Sequence, residues 1–233
     1  MPQSPLVLLP GLLCDAELWR HQIDRLRALA DPLVADLTKD SSMEDMAASV
    51  LAAAPEKFAL AGLSMGGYVA QAVLRLAPER VERLALLDTS FHADTDAQKT
   101  RRKDMMALAE KGDFKGVTPR LLPYLIHEGR LDDVPLTRAV MEMAERVGKQ
   151  AFLRQERAIL GRRNGEDVLR QVTCPTLILC GAEDALTPRR VHEEMAELVP
   201  QSRLVVVPDC GHLSTMERPE AVTAAMEGWL ASL

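Results

Sequence analysis

The fold of this chain is decided by the segment Phe58-Ala59-Leu60-Ala61-Gly62-Leu63-Ser64-Met65-Gly66-Gly67. Four apolar residues lead into a Gly-x-Ser-x-Gly pattern, which predicts a buried strand, a sharp turn and a helix that begins at once. Gly62 and Gly66 lack side chains, so the strand and the helix can cross closely at the turn. Ser64 would lie at the tip of this turn with its hydroxyl exposed. The pattern therefore makes Ser64 a candidate nucleophile.

The composition predicts a globular protein that does not act on nucleic acid. The 233 residues are 47% hydrophobic and carry a formal net charge of −6, which disfavours general nucleic-acid binding. No apolar run approaches the roughly 20 residues that span a bilayer, so no membrane association is expected. Residues 1–5 have no basic segment, and the spacing of the four cysteines matches no C-x-x-C or zinc pattern. We therefore expect a cytoplasmic protein without a secretory signal.

Short apolar runs alternate with longer amphipathic stretches along most of the chain. The predicted strands are Pro5–Leu9, Leu33–Leu37, Phe58–Leu63, Val81–Leu87, Thr176–Cys180 and Arg203–Val207. The predicted helices are Trp19–Ala30, Met43–Ala54, Met65–Ala77, Arg189–Leu198 and Pro219–Leu230. Continuous apolar strands separated by helices indicate an α/β fold, with a doubly wound, mostly parallel sheet of about six strands.

The alternation stops between about Thr89 and Val172. Glycines and prolines separate helical stretches there, and no strand is evident. We predict a helical lid at residues 91–171, inserted before the last two strands. Residues 1–90 and 172–233 then form the core, and the lid covers the carboxyl edge of the sheet.

Three polar residues follow three predicted strands in an order that suits nucleophilic catalysis. Ser64 follows the third strand, Asp184 the fifth and His212 the last. The carboxyl ends of parallel strands meet at one edge of a sheet, so these side chains are expected to converge. His212 would take the proton of the Ser64 hydroxyl, and Asp184 would orient the imidazole. The order serine, acid, histidine is typical of one hydrolase class.

A tetrahedral intermediate also needs donors for its oxyanion. Backbone N–H groups that are already in position serve this purpose at little cost. Met65, directly after the candidate nucleophile, is predicted to supply one. The loop after the first strand should supply the other, and we select Leu12, with Leu13 as the alternative.

Each of these residues also has an ordinary structural interpretation. A serine in a glycine-rich turn is often only a helix cap, and an aspartate after a strand is often a turn residue. Asp88, after the fourth strand, is a second candidate for the acid. The remaining histidines lie outside any motif and are interpreted as solvated: His21, His92, His127 and His192.

The chain resembles the α/β-hydrolase superfamily over nearly its whole length. The resemblance rests on residues 62–67, on Gly181-Ala182-Glu183-Asp184 with Thr187-Pro188, and on Gly211-His212-Leu213-Ser214 with Glu217-Arg218-Pro219-Glu220. It implies the same fold, a Ser64–His212–Asp184 triad and kinship with small esterases, enol-lactonases and C–C hydrolases. The oxyanion loop reads Pro10-Gly11, where members of the superfamily usually have His-Gly.

The charge of the predicted lid bears on the substrate. Residues 114–163 contain ten Lys and Arg against six acids, whereas the rest of the chain is acidic. The lid could attract an acidic carrier protein, as the resemblance to carrier-protein methyl ester esterases implies, or its arginines could simply be solvated.

The sequence therefore predicts a serine hydrolase that cleaves a small carboxylic ester or thioester through an acyl-enzyme. An enol-lactonase or a C–C bond hydrolase would use the same triad, and a non-catalytic small-molecule-binding protein could share the fold. No metal or nucleotide motif is present, so no cofactor is expected.

Overall fold

A parallel sheet of six strands lies at the centre of the computed structural model, which describes residues 4–232 apart from the side chain of Asp113. Residues 1–3, considered above for a secretory signal, and residue 233 lie outside this range. The strands are β1 (Ser4–Leu9), β2 (Ala30–Val34), β3 (Phe58–Leu63), β4 (Val81–Leu87), β5 (Thr176–Gly181) and β6 (Ser202–Val207). Their order is β2-β1-β3-β4-β5-β6, and every adjacent pair is parallel. The predicted fold class is confirmed.

Ten helices accompany the sheet in the described residues. They are α1 (Arg20–Leu26), α2 (Met43–Ala53), α3 (Met65–Leu76), α4 (Asp96–Leu108), α5 (Leu122–Leu125), α6 (Val134–Leu160), α7 (Glu166–Leu169), α8 (Arg189–Leu198), α9 (Ser214–Glu217) and α10 (Pro219–Ala231). Short 3₁₀ turns lie at Ala16–Trp19, Pro78–Arg80 and Glu128–Arg130, and a π turn at Ala109–Asp113 follows α4.

The core lies in two layers, one on each face of the sheet. Leu6 and Leu8 of β1 belong to a cluster that contains Trp229 of α10. Val7 and Leu9 point the other way, into a cluster formed with α2, α3 and α8. This alternation follows from the two-residue period of a strand. Burial on both faces explains why β3 is a continuous apolar run.

The segment between β4 and β5 is helical. It contains α4 to α7, and none of its described residues is in a strand. Helix α6 is kinked at Gly148, whose backbone (φ 76°, ψ 173°) lies in a region that only glycine readily adopts. Within residues 4–232, no helix combines the length and apolar character needed to cross a membrane.

The observed bounds of the second strand and the first helix differ from the predicted ones by several residues. The helix ends at Leu26, and β2 begins at Ala30 rather than Leu33. Pairing with β1 explains the shift, because Ala30 lies opposite Ser4 and Val34 opposite Leu8. β2 is an edge strand, where a proline is tolerated and apolar periodicity is weak.

Candidate active site

Ser64 lies at the junction of β3 and α3 in a strained backbone conformation. Its φ of 54° and ψ of −116° are rare for a residue with a side chain. The backbone is held on both sides, because the Ser64 N–H donates to Leu87 O (3.0 Å) and the Thr89 hydroxyl donates to Ser64 O (2.7 Å). A Cβ at Gly62 or Gly66 would overlap neighbouring backbone atoms. The two glycines are therefore required by close approach.

The structure brings Ser64, His212 and Asp184 into one hydrogen-bonded chain. Ser64 Oγ lies 2.9 Å from His212 Nε2, and His212 Nδ1 lies 2.8 Å from Asp184 Oδ2. His212 and Asp184 are both buried. With a proton on Nδ1, the imidazole donates to Asp184 and leaves Nε2 free to accept the serine proton. The arrangement can therefore raise the nucleophilicity of Ser64.

The Asp184 carboxylate is fully hydrogen-bonded. Its Oδ1 accepts from the backbone N–H of Leu186 (2.8 Å) and of Thr187 (3.0 Å), and its Oδ2 also accepts from the Thr187 hydroxyl (2.6 Å). Burial opposes ionisation, but the charge of His212 and these hydrogen bonds outweigh it and lower the pKa of Asp184. The sequence pattern predicts no role for Thr187, which follows Asp184 in the loop after β5.

The electrostatics of His212 mirror those of Asp184. Burial disfavours the charged imidazole, but the adjacent Asp184 carboxylate outweighs this effect, and the pKa of His212 is raised above 6.5. The loop that carries the histidine is anchored to the helical segment, since the N–H groups of His212 and Leu213 both donate to Leu125 O. The buried Glu217 carboxylate accepts from the N–H of Gly211 (3.0 Å) and of His127 (2.7 Å).

Asp88, the second candidate for the acid, lies beneath the site but does not contact the histidine by a hydrogen bond. Its Oδ1 accepts from Gly181 N–H (2.9 Å), and its Oδ2 accepts from the Ser214 hydroxyl. Burial and the charge of Asp184 raise the pKa of Asp88 well above its ordinary value. Asp88 thus links Gly181, which precedes the loop with Asp184, to Ser214, which follows the loop with His212.

The two residues predicted as oxyanion donors lie on segments that adjoin Ser64. Met65 begins α3, and Leu12 lies in the loop after β1, where Gly11 packs against Ser64. Leu13, the alternative to Leu12, donates its N–H to the side chain of Gln155 (3.0 Å). This bond occupies the Leu13 donor, so the geometry favours Leu12. The sequence carries no signal for Gln155, which is 142 residues away from Leu13.

The interpretation of His192 as solvated is wrong. Its side chain is fully buried on α8, where Nε2 accepts from Thr89 N–H (3.0 Å) and Nδ1 lies 3.4 Å from Pro188 O. Burial lowers the pKa of His192 to about 4, so the imidazole is neutral at pH 7. His192 therefore supports Thr89, which in turn holds the backbone of Ser64. No group of His, Cys, Asp and Glu side chains suited to a metal ion occurs among the residues that the structure describes.

Comparison with known proteins identifies the family. A family model described as the alpha/beta hydrolase fold matches residues 27–219. A pimeloyl-[acyl-carrier protein] methyl ester esterase of Pectobacterium carotovorum is 32% identical over 94% of this chain and 91% of its own. A putative non-heme bromoperoxidase BpoC of Mycobacterium tuberculosis is 31% identical over 74% of this chain and 67% of its own.

A solved structure agrees with the sequence comparisons. The thermophilic esterase from Thermogutta terrifontis superimposes with a TM-score of 0.89 at 30% identity, covering 98% of this chain and 90% of the esterase. The match extends over both the sheet and the helical segment between β4 and β5. The chain belongs to the α/β-hydrolase family and is a hydrolase.

Proposed function

We propose that this chain is a serine hydrolase that cleaves a small carboxylic ester or thioester through an acyl-enzyme. Ser64 is the nucleophile, His212 the general base and acid, and Asp184 the residue that orients His212. The observation that carries the proposal is the unbroken hydrogen-bonded chain from Ser64 Oγ through both His212 nitrogens to Asp184 Oδ2. A solvated histidine or a capping serine would not need this arrangement.

The geometry supports a two-step reaction. His212 Nε2 takes the proton of Ser64 Oγ while this oxygen attacks the carbonyl carbon of the ester. The N–H groups of Leu12 and Met65 donate to the resulting oxyanion. The bond to the leaving oxygen or sulfur then breaks, and His212 returns the proton to the leaving group. Water, deprotonated by the same nitrogen, attacks the acyl-enzyme and releases the acid and Ser64.

In this proposal, residues 91–171 act as a lid and residues 1–90 with 172–233 as the core. An apolar cluster next to the proposed oxyanion donor supports an apolar acyl group. It contains Leu13, Ala109, Ala144, Phe152 and Leu153, and Leu12, Met105, Met106, Phe114, Val117 and Val147 pack against it. The methionines are unbranched and adapt to ligands of varied shape.

A carrier-bound methyl ester is a second candidate substrate. The Pectobacterium relative supports it by its name and by its similarity over nearly the whole chain. The charge of residues 114–163 supports it only partly, because six of their ten cations bond within the protein, for example Arg146 with Asp15 and Arg157 with Glu110. The other four make no hydrogen bond or ion pair with the described side chains, which do not include that of Asp113: Lys115, Arg120, Arg138 and Arg163. These four would form the docking surface for an acidic carrier.

The proposal is tested by hydrolysis of p-nitrophenyl esters from acetate to decanoate, with Ser64→Ala as the control. We expect turnover that requires Ser64 and an optimum chain length that reports the size of the acyl pocket. Covalent labelling by a fluorophosphonate tests the activated serine independently. A folded protein that neither turns over esters nor takes the label is not a serine hydrolase, and the non-catalytic binding protein becomes the better interpretation.

Three further substrates separate the alternatives that share the triad. An enol-lactone tests for the lactonase, and a vinylogous β-diketone tests for the C–C hydrolase. A methyl ester presented on an acyl-carrier protein, compared with the same free ester, tests the carrier proposal. A preference for the carrier-bound ester that falls in Arg138→Glu, but not in Arg20→Glu on α1, would support docking at the lid.

The pH dependence of kcat/KM follows from the raised pKa of His212. The base must be neutral to accept the serine proton, so activity is present above its pKa and is lost as the pH falls through it. Because this pKa is raised in the folded protein, we expect the acidic limb above pH 6.5. Initial rates of p-nitrophenyl ester hydrolysis from pH 5 to 9 measure it. A limb centred below the ordinary histidine value of 6.5 would contradict the role given to Asp184.

A further inference from the structure

The loop that carries Leu12 is a tight turn in an unfavourable conformation. Cys14 N–H donates to Gly11 O (3.1 Å), so Leu12 and Leu13 are the central residues of the turn. Leu13 has a φ of 59°, whereas the φ of Leu12 is not positive. A positive φ at the second central residue alone is the pattern of a type II turn, which normally has glycine there. Leucine at this position must be held by its surroundings.

The peptide between the central residues is held at both ends. Leu13 N–H donates to Gln155 Oε1 (3.0 Å), and the Cys14 thiol lies 3.4 Å from Leu12 O, within reach to donate to it. Type I and type II turns differ by a flip of this central peptide. After the flip, a carbonyl would face Gln155 Oε1 where the N–H now lies. The bond to Gln155 therefore selects the type II turn.

Gln155 is itself held in one orientation. Its side chain is fully buried on the part of α6 that follows the kink at Gly148, and its Nε2 donates to Leu37 O (3.1 Å). The carbonyl oxygen of Leu37 can accept a hydrogen bond but cannot donate one. The side-chain nitrogen of Gln155 must therefore face Leu37, and its side-chain oxygen must face Leu13. The adjacent Arg154 donates to Thr38 O (2.7 Å) and makes no bond to the turn.

We propose that Gln155 is a positioning residue for the oxyanion hole. By holding the Leu12–Leu13 peptide, it keeps the whole turn in one conformation, including the adjoining Gly11–Leu12 peptide that carries the Leu12 N–H. The oxyanion site then depends on the position of α6. This inference rests on the proposed function, because it assigns Leu12 as an oxyanion donor. It places in the helical segment a residue that acts on the chemical step without touching the substrate.

The test replaces Gln155 with methionine, which has a similar size and no hydrogen-bonding amide. Removing an oxyanion donor costs about 10²- to 10³-fold in kcat, so a displaced donor is expected to cost about 10- to 100-fold. KM for p-nitrophenyl butyrate should change by less than about threefold, since the ground state needs no oxyanion donor. Arg154→Met is the matched control, because it removes a bond from α6 to the same 37–38 loop but leaves Leu13 untouched. An equal loss of kcat in both variants would overturn the proposal.

A second comparison separates positioning of the turn from a general structural effect. Glycine adopts a positive φ without strain, so in a Leu13→Gly background the turn needs Gln155 less. We expect Gln155→Met to cost less than about fivefold in kcat there. The same loss in both backgrounds would show that Gln155 does not act through the turn. Circular dichroism melting confirms that each variant is folded at the assay temperature.

Hydrogen exchange at Leu13 makes the outcome independent of the substrate. In the wild-type protein the Leu13 amide should be protected, and in Gln155→Met it should exchange at least about tenfold faster, while amides of β3 are unchanged. An unprotected Leu13 in the wild type overturns the contact even if the enzyme is active. If the Leu13 amide is protected but the protein has no esterase activity, the contact with Gln155 is supported and the proposed function is overturned.

Discussion

Replacing Ser64 with alanine is expected to lower kcat for ester hydrolysis by about 10⁴- to 10⁶-fold. The acyl-enzyme cannot form without the hydroxyl, and His212 has no proton to accept from a nucleophile. A small residual rate above that in water should remain, because binding and the oxyanion donors are unchanged. KM, where it can still be measured, should stay within about threefold, because Ser64 Oγ contributes little to ground-state binding. The measurement is a kcat and KM determination with active-site titration of the wild-type protein.

Ser202→Ala is the matched control for this experiment. The Ser202 hydroxyl is buried at the start of β6 and has no hydrogen-bond partner among the atoms that the structure describes. Its removal should leave kcat within about twofold of the wild-type value. If Ser64→Ala keeps more than about a tenth of the wild-type activity, Ser64 is not the nucleophile, whatever its geometry.

The second large effect distinguishes the two buried aspartates. Asp184→Asn is expected to lower kcat by about 10⁴-fold, because the amide offers a donor where His212 Nδ1 needs an acceptor. The imidazole then turns its proton towards Ser64, or loses its orientation, and cannot act as a base. The carboxylate also stabilises the imidazolium that forms during the reaction, and this contribution is lost as well.

Asp88→Asn is the matched comparison for Asp184→Asn. The raised pKa of Asp88 means that its carboxyl group is more readily protonated, and an amide is a close mimic of that form. Its contacts are with Gly181 N–H and the Ser214 hydroxyl rather than with His212. We expect a loss of kcat below about tenfold, with any larger cost appearing in the melting temperature. Similar losses of kcat in both variants would mean that Asp88 shares the role given to Asp184.

Local sequence signals were enough to predict the parts of the site that follow the central strands. β3, β4 and α8 have the predicted bounds, because continuous apolar runs and adjacent turn residues determine these elements locally. The order of Ser64, Asp184 and His212 placed all three at one edge of the sheet. Strand order alone predicts that the three side chains converge, since parallel strands present their carboxyl ends together.

Other elements could not be predicted locally, since long-range contacts decide them. The start of β2 depends on pairing with β1, and the burial of His192 depends on Thr89, 103 residues away. The sequence around a histidine in an amphipathic helix does not show which distant backbone N–H will donate to its ring. His192 was therefore interpreted as solvated, because its contact with Thr89 is not visible in the local sequence.

The sequence by itself determined the α/β fold, the elbow at Ser64 and the residues available for nucleophilic chemistry, because glycine spacing and apolar runs act over a few residues. Only the tertiary structure decided which aspartate faces His212, that Leu13 gives its N–H to Gln155, and that most cations of residues 114–163 already bond within the protein. These outcomes depend on contacts between groups that are far apart in the sequence, such as Leu13 and Gln155, or that lie on different loops, such as Asp184 and His212. Hydrogen-bond geometry at such meetings is set by the packing of whole elements, and no local pattern encodes it.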